Sequence, residues 1–92
     1  MIPQEISIFF WDIDTNTFKP TDYPDYTIFR ILELGDENAI RWLREIFSSD
    51  EIKRIIRTQK RLSRKSANYW ALVYNIPREE VAAFSYQDPF PL

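Results

Sequence analysis

The chain has 92 residues, of which 45% are hydrophobic, 16% aromatic and 28% charged, and its formal net charge is −2. This composition predicts one folded domain, because a chain of this length can bury one modest core and is too short for two. Cys and His are absent and Gly35 is the only glycine, which excludes disulfides, thiolate zinc sites, imidazole catalysis and phosphate-binding glycine loops.

The chain begins with a predicted short helix at about residues 3–11. Pro3 suits a first helical turn, and the apolar spacing is helical at Ile2, Ile6, Phe9 and Phe10. Turn-forming residues fill the segment 12–20, which predicts a loop with Phe18 as its apolar anchor.

A second helix is predicted to start after Asp22 or Tyr23, with Pro24 in its first turn and Gly35 at its end. Its apolar face consists of Ile28, Ile31 and Leu32. Because helices often end on a left-handed glycine, we expect that conformation at Gly35.

Capping residues mark the starts of a third and a fourth helix. Asp36 is the expected N-cap of the third, whose buried stripe is Ala39, Ile40, Leu43, Ile46 and Phe47. Ser48 and Glu51 have capping-box spacing for the fourth, which we expect to continue to Leu62. One side of this fourth helix is predicted to be apolar and the other basic, with the cations Lys53, Arg54, Arg57, Lys60 and Arg61.

Ser63 is the expected cap of a fifth helix that ends near Asn75. The stretch 69–74 is apolar on every side, which is typical of a central helix with neighbours all round. Pro77 then opens a last short helix containing Val81 and Phe84. The predicted fold is therefore all-α, a compact bundle of five to six short helices in residues 1–84, followed by a Pro-rich tail at 85–92.

The last two predicted helices have the residue spacing of a helix-turn-helix, with a small residue at Ala71 and a turn at Asn75. However, Glu79 and Glu80 stand where the N-terminus of a recognition helix would meet DNA phosphates. We therefore interpret this helix-turn-helix-like pair as a packing hairpin.

The loop after the first helix has part of a calcium-binding pattern. Asp12, Asp14 and Asn16 have the opening spacing, but Thr17 replaces the required Gly and Tyr23 the bidentate Glu. We expect these Asp side chains to accept hydrogen bonds from nearby backbone amides instead. No catalytic residue, metal site or cofactor is predicted.

The charges are unevenly distributed, since residues 1–39 carry two Lys or Arg against eight Asp or Glu, whereas residues 51–65 carry seven against one. The basic set, extended by Arg64 and Lys65, would suit phosphates or an acidic protein surface, or would be a solvated helix face. Trp42 and Trp70 lie on apolar stripes and are expected in the core, whereas Trp11, at a helix end, is a candidate partner contact.

The chain resembles a family of short, uncharacterised prokaryotic helical proteins over Ile6 to Val81. The residues that carry the resemblance are Phe10-Trp11-Asp12, Gly35-Asp36, Ile40-Arg41-Trp42-Leu43, the stretch Leu62 to Ala67, Trp70-Ala71 and Ile76-Pro77. Members of that family are often encoded beside AbiEii-type nucleotidyltransferase toxins, so the resemblance implies an antitoxin-like or accessory role.

These observations predict a protein-binding module rather than an enzyme, with a nucleotidyltransferase toxin as the partner that the resemblance implies. The predicted contact residues are Lys53, Arg54, Arg57, Lys60, Arg61, Arg64, Lys65 and Trp11. The alternative is a regulator that binds nucleic acid through residues 53–65, and a homodimer is also left open. No membrane-spanning run or secretion signal is recognised in the sequence, so we expect a cytoplasmic protein.

Overall fold

The computed structural model describes residues 2–14 and 16–85, and in these residues it contains helices and turns but no strand. The α-helices are α1 (Gln4–Ser7), α2 (Pro24–Leu34), α3 (Glu37–Ile46), α4 (Ser49–Thr58), α5 (Arg64–Val73) and α6 (Ala82–Ser85). Three 3₁₀ turns lie at Ile8–Phe10, Pro20–Asp22 and Arg78–Glu80. The predicted all-α bundle is confirmed. The predicted tail lies outside the described residues except for Ser85, which ends α6.

The helix predicted at residues 3–11 is divided into α1 and the 3₁₀ turn that follows it. Its apolar stripe is nevertheless buried as the spacing predicts, because Ile6 and Phe10 both lie in the core. Phe18 is the anchor of the next loop, as predicted, and its ring centroid lies 5.7 Å from that of Phe10.

The core is built around α2, whose buried residues are Thr27, Ile28, Ile31 and Leu32. This helix packs against α3, α4 and α5 and against the first two 3₁₀ turns. The Thr27 hydroxyl, the one buried polar side chain among the described residues, donates to the carbonyl oxygen of Pro20 at 3.1 Å and is therefore satisfied. α2, rather than α5, is therefore the central helix.

The predicted left-handed conformation at Gly35 is wrong, because its φ of −73° and ψ of 159° are extended. Glycine is required there by a close approach, since an added Cβ would lie 2.7 Å from the carbonyl oxygen of Ile31 and 3.0 Å from the Cβ of Ala39. The left-handed residue is Asn75, with φ 55°. Gly35 thus allows α2 and α3 to meet tightly at their junction.

The predicted caps of α3, α4 and α5 are confirmed. The Asp36 carboxylate accepts from the backbone N–H of Ala39 at 2.9 Å, and Ser48 and Glu51 form a reciprocal capping box. Ser63 accepts from the N–H of Ser66 at 3.1 Å at the start of α5. Each cap satisfies a backbone donor that a helix leaves unpaired in its first turn.

The fourth helix is shorter than predicted, because it ends at Thr58 and not near Leu62. Gln59 is extended, and its side-chain oxygen accepts from the backbone N–H of Arg61 at 3.1 Å, a local turn that competes with the helix. Leu62 still reaches the core. Lys60 and Arg61 therefore lie in the α4–α5 loop and not on a helix face.

The region of the predicted helix-turn-helix-like pair contains α5, a turn at Asn75, a 3₁₀ turn and the single-turn α6. The N–H of Ile76 bonds to the carbonyl of Ala71 at 2.8 Å and that of Asn75 to the carbonyl of Leu72 at 3.3 Å. This is the Schellman pattern, which needs a left-handed residue after the helix. Asn75 is suited to it because asparagine tolerates positive φ.

Candidate functional site

Two arginines of the predicted basic face form ion pairs with carboxylates of the same chain. Arg54 donates to the Asp25 carboxylate on α2 at 2.9 Å, and Arg57 donates to the Glu80 carboxylate at 3.1 Å. Both pairs are about half exposed, so each contributes little to stability. They nevertheless hold two of the predicted contact residues toward neighbouring elements.

The remaining cations do not form one continuous surface on α4. Among the described residues, Lys53, Arg61, Arg64 and Lys65 make no ion pair. Only Lys53 belongs to α4, whereas Arg61 is in the loop and the other two open α5. Of the predicted basic set, the cations that are in no ion pair therefore lie mainly around the start of α5.

Trp11 is exposed, with 69% of its surface accessible. The Arg30 guanidinium lies 4.2 Å from the centroid of its ring, which is cation–π geometry. Trp42 is partly buried and Trp70 is buried, as expected for core residues. Trp11 is thus held against α2 on one face of the ring and remains a candidate contact.

The same arginine organises the loop after the first 3₁₀ turn. Arg30 donates to the carbonyl of Phe9 at 2.8 Å and to the Asp12 carboxylate at 2.7 Å, and the Tyr26 hydroxyl also donates to Asp12, at 3.0 Å. Asp14 accepts from the N–H of Asn16, as expected, and Asp12 has these two side-chain partners in addition to a backbone hydrogen bond. Asp12 thus ties the N-terminal segment to α2.

These contacts change the titration of both acidic groups. Partial desolvation alone would raise the pKa of Asp12, but hydrogen bonds from Tyr26 and Arg30, together with the charge of Arg30, hold that pKa below its ordinary value. Partial desolvation and donation to Asp12 raise the pKa of Tyr26. The arrangement is a clamp in which both partners hold the Asp12 carboxylate between the N-terminal segment and α2.

The expectation that α5 has neighbours on every side is wrong for residues 2–14 and 16–85, which the structure describes. Trp70 and Ala71 face the core, but Tyr69, Leu72 and Val73 are 57%, 70% and 43% exposed. Together with Lys65 these three residues lie on one side of the helix, and we call this side the α5 face. Sequence reasoning missed it as a site, although the all-round apolar character of residues 69–74 was its signal.

A groove of about 1180 Å³ runs beside the α5 face. One wall is formed by Glu37, Ile40, Arg41 and Arg44 of α3, the other by Lys65, Tyr69 and Leu72 of α5, and Leu32, Gly35 and Trp70 also line it. Both walls pack on α2 but not closely on each other. We call this concavity the α3–α5 groove.

The two walls run in the same direction. At their N-terminal ends, the Glu33 carboxylate accepts from the backbone N–H of Ser63 at 2.9 Å and from the Ser66 hydroxyl at 3.1 Å. At their C-terminal ends, Nε of Arg44 donates to the Tyr74 hydroxyl at 3.2 Å. The groove therefore has one end at the helix N-termini and the other at the C-termini.

The N-terminal end of the groove is acidic. The N-terminal end has the three carboxylates Glu33, Asp36 and Glu37 and the one cation Lys65. Arg41 lies at the middle of the α3 wall, and Arg44 and Glu45 lie toward its C-terminal end. Ile40 and Tyr69 contribute apolar groups along the groove, and Leu72 does so near the C-terminal end of α5.

A second concavity, of about 610 Å³, lies beside the loop 12–20. Phe18 and Tyr23 line it, and their rings are stacked with their centroids 5.6 Å apart. In the part of the chain that the structure describes, no group of three or more Asp or Glu side chains is placed to hold a metal ion. Nor is any described helix long and apolar enough to cross a lipid bilayer.

Comparison with known proteins gives one family. Residues 6–56, more than half of the chain, match the model described as "Family of unknown function (DUF6922)". The match includes Phe10-Trp11-Asp12 and Gly35-Asp36 but ends before the stretch 62–77 that contributes to the resemblance noted above. No curated protein and no solved structure matches the chain.

Proposed function

Because the chain belongs to the DUF6922 family, whose function is unknown, we propose its function from its own surface: it is a non-catalytic protein-binding module. The docking surface is the α5 face with the adjoining α3–α5 groove. The observation that carries this proposal is the exposure of Tyr69 and Leu72, at 57% and 70%, beside a concave wall. Exposed apolar side chains grouped at a groove are typical of protein-binding sites.

The chemistry of the chain favours binding over catalysis. His and Cys are missing from the sequence, so the chain has no residue that could carry out imidazole or thiolate catalysis. The Asp12 carboxylate, whose pKa is shifted, already pairs with Arg30 and Tyr26. The groove instead offers the apolar groups of Ile40, Tyr69 and Leu72 beside charged side chains, a combination that gives helix-binding grooves both affinity and orientation.

The partner that the family resemblance implies is an AbiEii-type nucleotidyltransferase, which gives the module an antitoxin-like or accessory role in the cytoplasm. The free cations Arg61, Arg64 and Lys65 adjoin the α5 face and would contact acidic groups at its rim. Trp11 is a secondary contact in this proposal. The positive charge of the other predicted contact residues would speed the approach of an acidic partner without direct contacts to it; these residues are Lys53, Arg54, Arg57 and Lys60.

Co-expression with an AbiEii-type nucleotidyltransferase from the same genome, followed by size-exclusion chromatography, tests the proposal. We expect the two chains to co-elute, and Leu72→Lys to abolish co-elution by placing a charge in the apolar contact. Ile8→Lys is the matched control, because Ile8 is similarly exposed at 66% but does not line the groove. Independent elution of the wild-type chains contradicts the proposed partner, and equal effects of both variants contradict the proposed surface.

A second candidate function is nucleic-acid binding, and Lys53, Arg61, Arg64 and Lys65, the cations of the predicted basic set that none of the three ion pairs includes, favour it. Phosphate contacts would make binding salt-sensitive, and removal of Arg61 or Arg64 would reduce the log–log salt slope by about one unit each. A gel-shift experiment at low salt measures this. Unchanged mobility of both DNA and RNA contradicts this candidate.

A further inference from the structure

We propose that the concavity beside the loop 12–20 binds a methylated ammonium group, such as the trimethylammonium group of choline. We call this concavity the aromatic pocket. The lining residues that matter for its chemistry are three aromatic rings, two carboxylates and one cation, namely Phe18, Tyr23, Tyr26, Asp14, Asp22 and Lys19. None of them belongs to the α5 face or the α3–α5 groove, so this site goes beyond the proposed protein-binding function.

The pocket has the size of a small-molecule site, and its walls are fixed to the core. Its volume of about 610 Å³ lies within the range of about 300–1,000 Å³ that is usual for such sites. The ring of Phe18 packs against the buried Phe10. The Thr27 hydroxyl holds the backbone of Pro20 by a hydrogen bond of 3.1 Å. Because the walls are anchored in this way, little ordering is needed when a ligand binds.

The three rings of the pocket are set at angles to one another. Phe18 stacks on Tyr23 with the centroids 5.6 Å apart, and Tyr26 is nearly perpendicular to Phe18, at 79° and 5.9 Å. Tyr23 is 59% exposed although one face of its ring packs on Phe18, so the rest of the ring is open to a ligand. The faces of aromatic rings attract cations within about 6 Å of the centroid, and grouped rings recognise methylated ammonium groups.

The side chains that line the pocket carry an excess of negative charge. Asp14 and Asp22 stand against the single cation Lys19. Neither carboxylate belongs to any of the three ion pairs of the described residues. This charge attracts a cationic ligand toward the rings and repels an anionic one.

The charge of the neighbouring Arg30 is balanced outside the pocket. Its guanidinium lies 5.5 Å from the centroid of Tyr26 but does not line the pocket. It forms an ion pair of 2.7 Å with the Asp12 carboxylate. Arg30 and Asp12 together therefore add little net charge, and the contact with Tyr26 is an example within the chain of a cation held beside a ring of this pocket.

The chemistry of the lining favours a methylated ammonium group over a metal ion or a primary amine. In the part of the chain that the structure describes, no group of three carboxylates is placed to hold a metal ion. The Asp14 carboxylate already accepts from the backbone N–H of Asn16 at 3.0 Å. A metal ion or a primary ammonium needs several oxygen ligands or acceptors to replace its water. A trimethylammonium group donates no hydrogen bond and needs only ring faces and nearby negative charge.

Titration of the ¹⁵N-labelled full chain with choline chloride, followed in ¹⁵N–¹H correlation spectra, tests the inference. We expect saturable shifts of the amide signals between Ile13 and Tyr26, with a Kd on the order of 1 mM because cation–π contacts at exposed sites are weak. The matched ligand is the uncharged analogue of choline in which carbon replaces the nitrogen, and it should cause no such shifts. Equal shifts with both compounds would overturn the inference.

Removal of one ring tests whether the aromatic pocket is the site. Tyr23→Leu keeps an apolar side chain but removes the ring face, and it should raise the Kd for choline about 2–5-fold. Tyr69→Leu is the matched control, because Tyr69 is similarly exposed, at 57%, but does not line the pocket. Circular dichroism of both variants verifies that the helices remain folded. Equal effects of the two substitutions would place the binding elsewhere and overturn the inference.

Two charge variants test the electrostatic part of the proposal. Asp22→Asn removes an attractive charge and should raise the Kd, whereas Lys19→Ala removes a repulsive charge and should lower it. Both effects should shrink as the salt concentration rises, because these side chains are exposed and salt screens their charges. Shifts of the Kd in the same direction for both variants would contradict selection of the ligand by charge.

The source of the cation is found by comparing two probes. Choline and a short peptide with one trimethyllysine carry the same group, so the tighter of the two identifies a small molecule or a protein side chain as the ligand. Saturable binding of either probe supports the inference, and failure of both overturns it. Neither outcome changes the test of the α5 face, because the two sites share no lining residue.

Discussion

The indole Nε1 of Trp70 donates a hydrogen bond of 2.9 Å to the backbone carbonyl of Leu32. This contact joins the middle of α5 to the C-terminal half of α2, and it fixes which side of α5 faces inward. The neighbouring Tyr69 is consequently turned outward, with its ring perpendicular to that of Trp70 at 4.8 Å between centroids. The exposed α5 face is thus a consequence of how Trp70 is anchored.

Trp70→Phe should lower the free energy of unfolding by about 1–3 kcal/mol, because the buried carbonyl of Leu32 loses its side-chain donor. Urea unfolding monitored by circular dichroism measures this. Tyr69→Phe is the matched control, since that residue is exposed and its change should stay within about 0.5 kcal/mol. Equal effects of the two substitutions would argue against the anchoring role of Trp70.

Gly35→Ala should destabilise the protein even though its backbone angles suit alanine. A glycine in an extended conformation would normally gain about 0.4–1 kcal/mol on replacement by alanine. Here the new methyl group would lie 2.7 Å from the Ile31 carbonyl oxygen and 2.9 Å from the Ile31 Cγ2. We expect a net loss of about 1–3 kcal/mol from overpacking; a rise in the thermal midpoint would contradict this.

At Asn75 the backbone conformation, and not a close approach, should decide which substitution is tolerated. Its φ of 55° is left-handed, so Asn75→Gly should preserve or raise the stability because glycine has no Cβ to strain. Asn75→Ala should lower it by about 1 kcal/mol. Thermal unfolding of the pair checks this, and an alanine variant as stable as the glycine variant would exclude backbone strain as the determinant.

The contact of Asp12 with Arg30 and Tyr26 predicts a pH-dependent contribution to stability. Since the folded-state pKa of Asp12 lies below its ordinary value of 3.8, the contribution is fully present above that value and is lost as the pH falls through the lowered pKa. Asp12→Asn should therefore lower the free energy of unfolding at neutral pH, by an amount that shrinks in acid. Urea unfolding of both proteins across this range measures the difference, and an equal difference on both sides of 3.8 would count against the clamp.

The helices that the sequence predicts well are those with polar caps. Asp36, Ser48 and Ser63 each start a helix as expected, because a cap is a local interaction between residues three apart. The all-α class follows from the same local signals together with the apolar spacing. Local chemistry thus predicted the starts of α3, α4 and α5.

Features that depend on tertiary contacts were not predictable in the same way. The role of Gly35 depends on the approach of Ala39 and Ile31, and the pairing of Arg57 with Glu80 joins residues that are distant in sequence. The exposed side of α5 was a further case, because apolar periodicity does not tell whether a neighbour belongs to the same chain. Because of that ambiguity, the sequence predicts that the residues of the α5 face are buried in the core.

The most direct test of a protein-binding α5 face is a series of ¹⁵N–¹H correlation spectra of the labelled chain. The spectra are recorded at increasing protein concentration and then with the unlabelled nucleotidyltransferase added. We predict that the amide signals of Lys65 to Val73, together with those of the facing α3 wall, shift in at least one of the two series. If these signals stay unchanged in both series, or if shifts occur only around Trp11 and Lys53, the α5 face is not the binding surface.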